Sequence, residues 1–244
     1  MTIQQKDFVE NAEFRSNTFS SRFLRFLTNN PALIILIALI LLGSAVSPVF
    51  LTSRNLLNIL WGISVLGLIS VGQTMLMITG SFDMSVAYVV GLSGITTVML
   101  QINGANLFVS VLGGLVSGVI IGILNGTIVI LTKANAFLVT LGTSALVYSI
   151  NLTLTESKTW YATIEDFLIL GRGKFLDKIH YSVLLFLLLA IVSEIIMRKT
   201  VLGRSLYAIG MNGLAAKYSG IMSDKIRFFI YVFCKYVINS QPVS

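Results

Sequence analysis

Asp83 is the residue whose type and position ask most for an explanation. It stands in Thr79-Gly80-Ser81-Phe82-Asp83-Met84-Ser85, between two long apolar runs. A charge at the centre of a bilayer costs roughly 2.5–3.5 kcal/mol on insertion scales. Two chemistries fit a carboxylate there. It can cap the helix that follows and complement its dipole. Or it can meet a solute or gate a path. Glu194 is the other acid near an apolar run. It fits a proton-coupling carboxylate, or an interfacial partner of Arg198 four residues on, since residues at that spacing share a helix face.

Little other chemistry is available. One histidine, His180, and one cysteine, Cys234, leave no histidine metal cluster within the chain and no internal disulfide. There is no HExxH, no GxSxG and no paired-carboxylate motif. Gly171-Arg172-Gly173-Lys174-Phe175 has glycine and lysine but not the spacing or the Ser/Thr of a phosphate-binding loop. The chain is therefore expected to be no enzyme and to hold no cofactor or metal. Any ATP would be hydrolysed by another subunit.

The elements that carry these residues follow from composition. Of 244 residues, 55% are hydrophobic and 11% charged, with a mean hydropathy of +0.89. A soluble domain carries about 25% charge, so a soluble monomer is excluded. Disorder is excluded too, since it needs low hydrophobicity and high charge. Long unbroken apolar runs exclude a transmembrane β-barrel. What remains is an all-α, polytopic transmembrane helical bundle, with crossings of about 20 residues. Six clear spans are expected at about 31–50, 56–80, 84–102, 107–131, 134–154 and 180–197. The first is too long, and starts too far in, to be a cleaved signal peptide. A seventh run begins near Ile226, but Lys235 interrupts it and a polar Asn239-Ser240-Gln241-Pro242 follows. Segment 226–244 therefore reads as an incomplete span with an atypical tail.

Lys and Arg set the orientation, because inner loops carry their excess. With segment 1–30 in the cytoplasm, the inner side receives Lys6, Arg15, Arg22, Arg25, Lys133 and the six basic residues from Arg198 to Arg227. The outer side receives Arg54, Lys158, Arg172, Lys174 and Lys178. This bias puts 155–179 outside and 198–225 inside, with a lipid bilayer as the solvent. The basic residues form no run, which argues against nucleic acid as a partner.

Two stretches imply contacts. Gly114, Gly118, Gly122 and Gly126 recur every four residues, a smooth helix stripe that admits another helix closely. In the inner segment, Asn212 fits an N-cap and Gly220 a C-terminal stop for a short helix. Leu214 and Tyr218 share one face of it, and an exposed apolar face suits insertion into a partner's groove.

Four stretches in order resemble the membrane permeases of bacterial ABC sugar importers, in the ribose, xylose, galactose and autoinducer branch. They are Phe50-Leu51-Thr52 with Asn55 to Leu60; Thr79 to Val86; Gly122 to Gly126 with Phe137 to Thr143; and Thr200, Gly203, Arg204, Tyr207 to Gly210, Asn212, Ala215, Ala216 and Ser219 to Ile221. Ser81 and Phe82 replace the family's glycine and isoleucine before the aspartate, Ala87 replaces a glycine, and Ala136 stands where a proline is usual. Family members continue through several further spans, and nothing from Cys234-Lys235-Tyr236 onward resembles them, so the chain reads as C-terminally truncated.

The resemblance implies an inner-membrane permease subunit that translocates a sugar or sugar-like solute. Its partners would be a cytoplasmic ATPase, a second permease subunit, alike or different, and a periplasmic sugar-binding protein. Gly203, Arg204, Tyr207, Gly210, Asn212, Ala215, Ala216, Ser219 and Gly220 would couple to the ATPase. Thr79, Asp83, Ser85, Asn125 and Thr140 would lie on the translocation pathway. Other readings are a gradient-driven secondary transporter, which would need Asp83 or Glu194 facing a path, and a non-transporting fragment or regulatory partner.

Overall fold

The computed structural model describes residues 28, 30–158, 173–175 and 179–239. The expected N-terminal segment 1–30 lies almost wholly outside these, as do most of the outer loop 155–179 and the last residues, 240–244. The chain divides into two compact units, residues 1–58 and 59–244.

In the first unit, α1 (Pro31–Val46) has its proline in the first turn, where a missing N–H costs little. It stops before Ser47-Pro48, because a residue preceding proline is driven out of the helical region. A turn over 47–52 follows. The Phe50 ring lies against α1 so closely that a Cβ on Gly43 would come within 2.7 Å of it. None of the side chains of α1 is buried.

α2 (Ser53–Ile78) leads into the second unit. There follow α3 (Val86–Ile102), α4 (Leu107–Thr132), α5 (Ala136–Thr155), α6 (Tyr181–Lys199), α7 (Val201–Met211), α8 (Gly213–Tyr218) and α9 (Ser223–Asn239). Between α5 and α6, β1 (Lys174–Phe175) pairs antiparallel with β2 (Ile179–His180), Lys174 opposite His180. This two-residue ribbon corrects the all-α expectation within the loop. Asparagines start three of the helices. Asn106 accepts the Val109 N–H at 2.9 Å, Asn135 that of Phe137 at 2.9 Å, and Asn212 those of Leu214 and Ala215 at 3.1 and 3.0 Å.

Helix ends fall within a few residues of the expected span limits. By length and apolarity, α2, α4, α5 and α6 can cross a membrane, while α1 and α3 are shorter apolar helices. Four of the six expected clear spans thus meet the criterion. α1 has 16 residues, about 24 Å at 1.5 Å per residue, against a hydrocarbon core of about 30 Å. α3 starts late because Asp83 to Ser85 are spent in a turn. The apolar surface these helices leave uncovered, such as Leu131, Leu138 and Leu188, is what a lipid solvent requires rather than a flaw in packing.

Packing in the second unit is organised by glycine. The buried face of α4 is Ser110, Gly114, Gly118, Ile121, Gly122, Asn125 and Gly126, the three- and four-residue spacing of one helix side. A Cβ on Gly114 would strike Thr97 of α3. On Gly118 it would strike Asn239 of α9. On Gly122 it would come 2.9 Å from Lys235 Cγ and 3.0 Å from the Tyr231 carbonyl, and on Gly126 3.1 Å from the Phe228 ring. α4 and α9 therefore run antiparallel along the stripe. Four glycines in a helix interior forgo about 4 kcal/mol of propensity relative to alanine, which this close approach offsets. α9 also meets α2, where Gly72 lies under Cys234. A core of Met75, Leu76, Val86, Met197, Leu206, Ile230, Tyr231 and Cys234 joins α2, α3, α6, α7 and α9.

Candidate functional site

α9 continues through Lys235 without a break. The expectation that Lys235 interrupts the run is corrected here, and the reason is electrostatic. Lys235 Nζ lies 2.9 Å from Asp83 Oδ2, with both side chains fully buried. Each charge is thus neutralised where neither could stand alone.

The pair is the centre of a polar cluster. Asp83 Oδ1 accepts the Ser85 N–H at 2.8 Å and the Ser85 hydroxyl at 2.6 Å. The Ser85 oxygen in turn accepts from Lys235 Nζ at 2.8 Å and from Asn125 Nδ2 at 3.0 Å. A hydroxyl has one donor and two acceptor sites, so that of Ser85 is saturated. Ser85 occupies the N-cap position of α3 but makes no side-chain cap bond, because its proton goes to Asp83. Asp83, for its part, holds the last amide before α3 rather than those of its first turn. Asn125 is fully buried, and its Oδ1 has no hydrogen-bond partner among the described residues.

Thr140 lies one layer away. Its Oγ1 accepts the Met84 N–H at 3.0 Å and donates to the Ala136 carbonyl at 2.8 Å, which ties α5 to the turn before α3. Thr79 is also buried, but its hydroxyl is spent on the Leu76 carbonyl at 2.7 Å. Its own carbonyl accepts from Arg227 Nη2 at 3.2 Å. Of the five expected pathway residues, the fold brings Asp83, Ser85 and Asn125 into one cluster, places Thr140 beside its turn, and turns the Thr79 hydroxyl away.

Lys235 completes the cluster, although in the sequence it marks only a break in an apolar run. A signal was present. Arg227, Tyr231, Lys235 and Asn239 recur every four residues, the same period as the glycines they face. A polar stripe on one helix matches a smooth stripe on another.

Glu194 and Arg198 form an exposed ion pair one helical turn apart. Both acids near apolar runs are therefore paired.

A cavity of about 820 Å³ opens next to the cluster. Ser81 and Phe82 line it, together with Lys133 and Asn135 from the α4–α5 turn, Asn212 and Lys217 around α8, and Arg227 of α9. The turn at 80–82, the α4–α5 turn and the α7–α8 segment thus share one end of the bundle. Gly80 turns the chain there at φ +77°, a conformation that favours glycine.

The nine residues expected to couple divide by exposure. Gly203 and Ala216 are buried. A Cβ on Gly203 would strike the Met197 carbonyl, and one on Gly210 the Ile78 carbonyl. These residues seat α7 against α6 and α2. Arg204, Tyr207, Gly210, Asn212, Ala215, Ser219 and Gly220 are at the surface, and Gly220 ends the segment at φ +84°. Leu214 and Tyr218, on one face of α8, are 71% and 89% exposed.

A family model described as the permease component of branched-chain amino acid transport systems matches residues 55–234, a stretch that ends one residue before Lys235. A ribose import permease protein of Haemophilus influenzae is 30% identical over 221 residues, covering 89% of this chain and 68% of that one. A D-allose transport system permease protein of Escherichia coli is 31% identical over 200 residues, 82% of this chain and 60% of that one. An L-arabinose ABC transporter permease protein of Azospirillum brasilense is 29% identical over 201 residues, 82% and 59%. The chain spans about three fifths to two thirds of the length of these relatives. No solved structure matches.

Proposed function

The chain belongs to the family of branched-chain amino acid transport system permease components, and we propose that it is the membrane-spanning subunit of an ATP-binding-cassette importer for a sugar or sugar-like solute. The ribose, allose and arabinose permeases it resembles support that solute class. In this reading a periplasmic binding protein delivers the solute, a second permease subunit completes the path, and a separate ATPase supplies the energy. α1 and α3 cross the membrane with the four longer helices, α9 forms a seventh element, and the N-terminus is cytoplasmic. The Lys and Arg bias supports this sidedness, which puts the cavity and α8 inside.

One observation carries the proposal. α8 is pinned by its Asn212 cap and by buried Ala216, yet presents Leu214 and Tyr218 outward at the end of the bundle that holds the cavity. A rigid knob with an apolar face is suited to a groove on a partner. Motion of that partner would pass through α7, seated on α2 and α6, to the turn that holds Asp83. Exposed Leu214 and Tyr218, rather than buried Gly203 and Ala216, are the residues to test. The double substitution Leu214→Asp/Tyr218→Asp should abolish co-purification with the cognate ATPase and leave the melting temperature of the isolated chain unchanged. Undiminished co-purification would refute the docking role.

A further inference from the structure

We propose that the cleft between the inner ends of α4 and α9 is a binding site for an anionic phospholipid, with the phosphodiester on Lys133 and Arg227 and an acyl chain in the adjoining groove. The cavity of about 820 Å³ carries three cations, Lys133, Lys217 and Arg227, against a single carboxylate, Asp224. Among the described residues none of the three takes part in an ion pair. Arg227 spends one Nη2 bond on the Thr79 carbonyl, and its Nε has no partner among those residues. The cavity is thus positively charged and has donors to spare, which fits a phosphate oxygen better than a neutral solute.

A second space makes the ligand a lipid. A groove of about 430 Å³ runs between α4 and α9, with Thr127, Ile130, Leu131 and Phe228 along it and Asp224 and Lys225 at its mouth. Ile130 and Asp224 border both spaces, so the charged cavity and the apolar groove adjoin. Leu131 is 76% exposed, on the side where a membrane-spanning helix meets acyl chains. A free phosphate or a soluble phosphate ester would use the cavity and leave the groove empty. A phospholipid fills both, as basic pockets at the cytoplasmic ends of transmembrane helices do. The inference rests on the membrane-spanning reading but not on transport, so its test uses the purified chain and involves no uptake.

The test is native mass spectrometry of the full chain in mild detergent, titrated with phosphatidylglycerol, phosphatidylcholine or inorganic phosphate. Phosphatidylglycerol should be retained in preference to phosphatidylcholine, which has the same phosphodiester but no net charge. Lys133→Gln or Arg227→Gln should each weaken phosphatidylglycerol binding roughly fivefold, and the pair roughly thirtyfold. Lys158→Gln, at a surface cation far along the chain, should leave it unchanged. Leu131→Asn keeps every cation and changes an exposed position, so it reads the groove without endangering the fold, and it too should weaken binding. Equal retention of the two lipids, undiminished binding in Lys133→Gln, or unchanged binding in Leu131→Asn would overturn the proposal. So would displacement of the lipid by an equal concentration of inorganic phosphate.

Discussion

The Asp83–Lys235 pair makes a sharp energetic prediction. At 2.9 Å and an effective dielectric constant near 20, the direct attraction is about 6 kcal/mol. Desolvation of two buried ions offsets much of that, so the pair need not stabilise the fold relative to two apolar residues. Breaking it is different, because one charge is left without its counterion. Lys235→Met leaves a carboxylate that keeps its two bonds from Ser85. Asp83→Asn leaves an ammonium with the Ser85 oxygen and a neutral amide. Each single substitution should cost about 3 kcal/mol, the lower end for a broken buried pair. The double variant Asp83→Asn/Lys235→Met should recover at least about 2 kcal/mol relative to the sum. The assay is unfolding of the purified chain by SDS titration in mixed micelles, followed by far-UV circular dichroism. A Lys235→Met protein within about 0.5 kcal/mol of the parent, or single effects that add in the double variant, would refute the reasoning.

The glycine stripe gives a paired test. Gly122→Val should disrupt α4–α9 packing and lower the melting temperature. Gly142→Ala, in α5 where a Cβ would meet nothing within 4 Å, should be neutral or stabilising by up to about 1 kcal/mol. Thr140→Val keeps the shape of the side chain but leaves the Met84 N–H without its acceptor, at a cost of about 1–3 kcal/mol, measured in the same SDS titration. Asn212→Ala removes two cap bonds from α8 and should cost about 1 kcal/mol. It should also raise protease cleavage between α7 and α9 and weaken ATPase co-purification without abolishing it.

The helices were legible because apolar runs and their charged borders are local signals. Asn212 marks a start and Gly220 a stop, and the structure places both there. The lengths of α1 and α3 were harder to read. Whether residues 47–50 or 84–85 join a helix depends on the Pro48 turn and on where the Asp83 carboxylate finds its donors. The pairing of Asp83 was not readable from its own neighbourhood. Its partner lies about 150 residues away in a run whose lysine looked like a terminator, and only tertiary contact turns that lysine into a core residue. Gly203 and Ala216 are on the coupling segment by resemblance alone; in the fold both are buried, and a Cβ on Gly203 would strike the Met197 carbonyl. Leu214 and Tyr218, which the four-residue spacing put on one face, are the ones left outward.

The charged stripe of α9 also bears on how the protein is made. α9 is neither one of the helices long and apolar enough to cross a membrane nor one of the shorter apolar ones. With Arg227 and Lys235 on board, it is poorly suited to partition into lipid by itself. Its lysine finds its anion, Asp83, only in the turn before α3, synthesised long before it, since Ser85 and Lys235 are 150 residues apart. At ribosomal speeds of about 5–20 residues per second, Asp83 waits roughly 8–30 s for its counterion. During that interval the smooth face of α4 is an unfilled slot. If α9 enters the membrane as proposed, that entry is a templated step, in which the slot and the waiting carboxylate together admit a segment that the bilayer would reject.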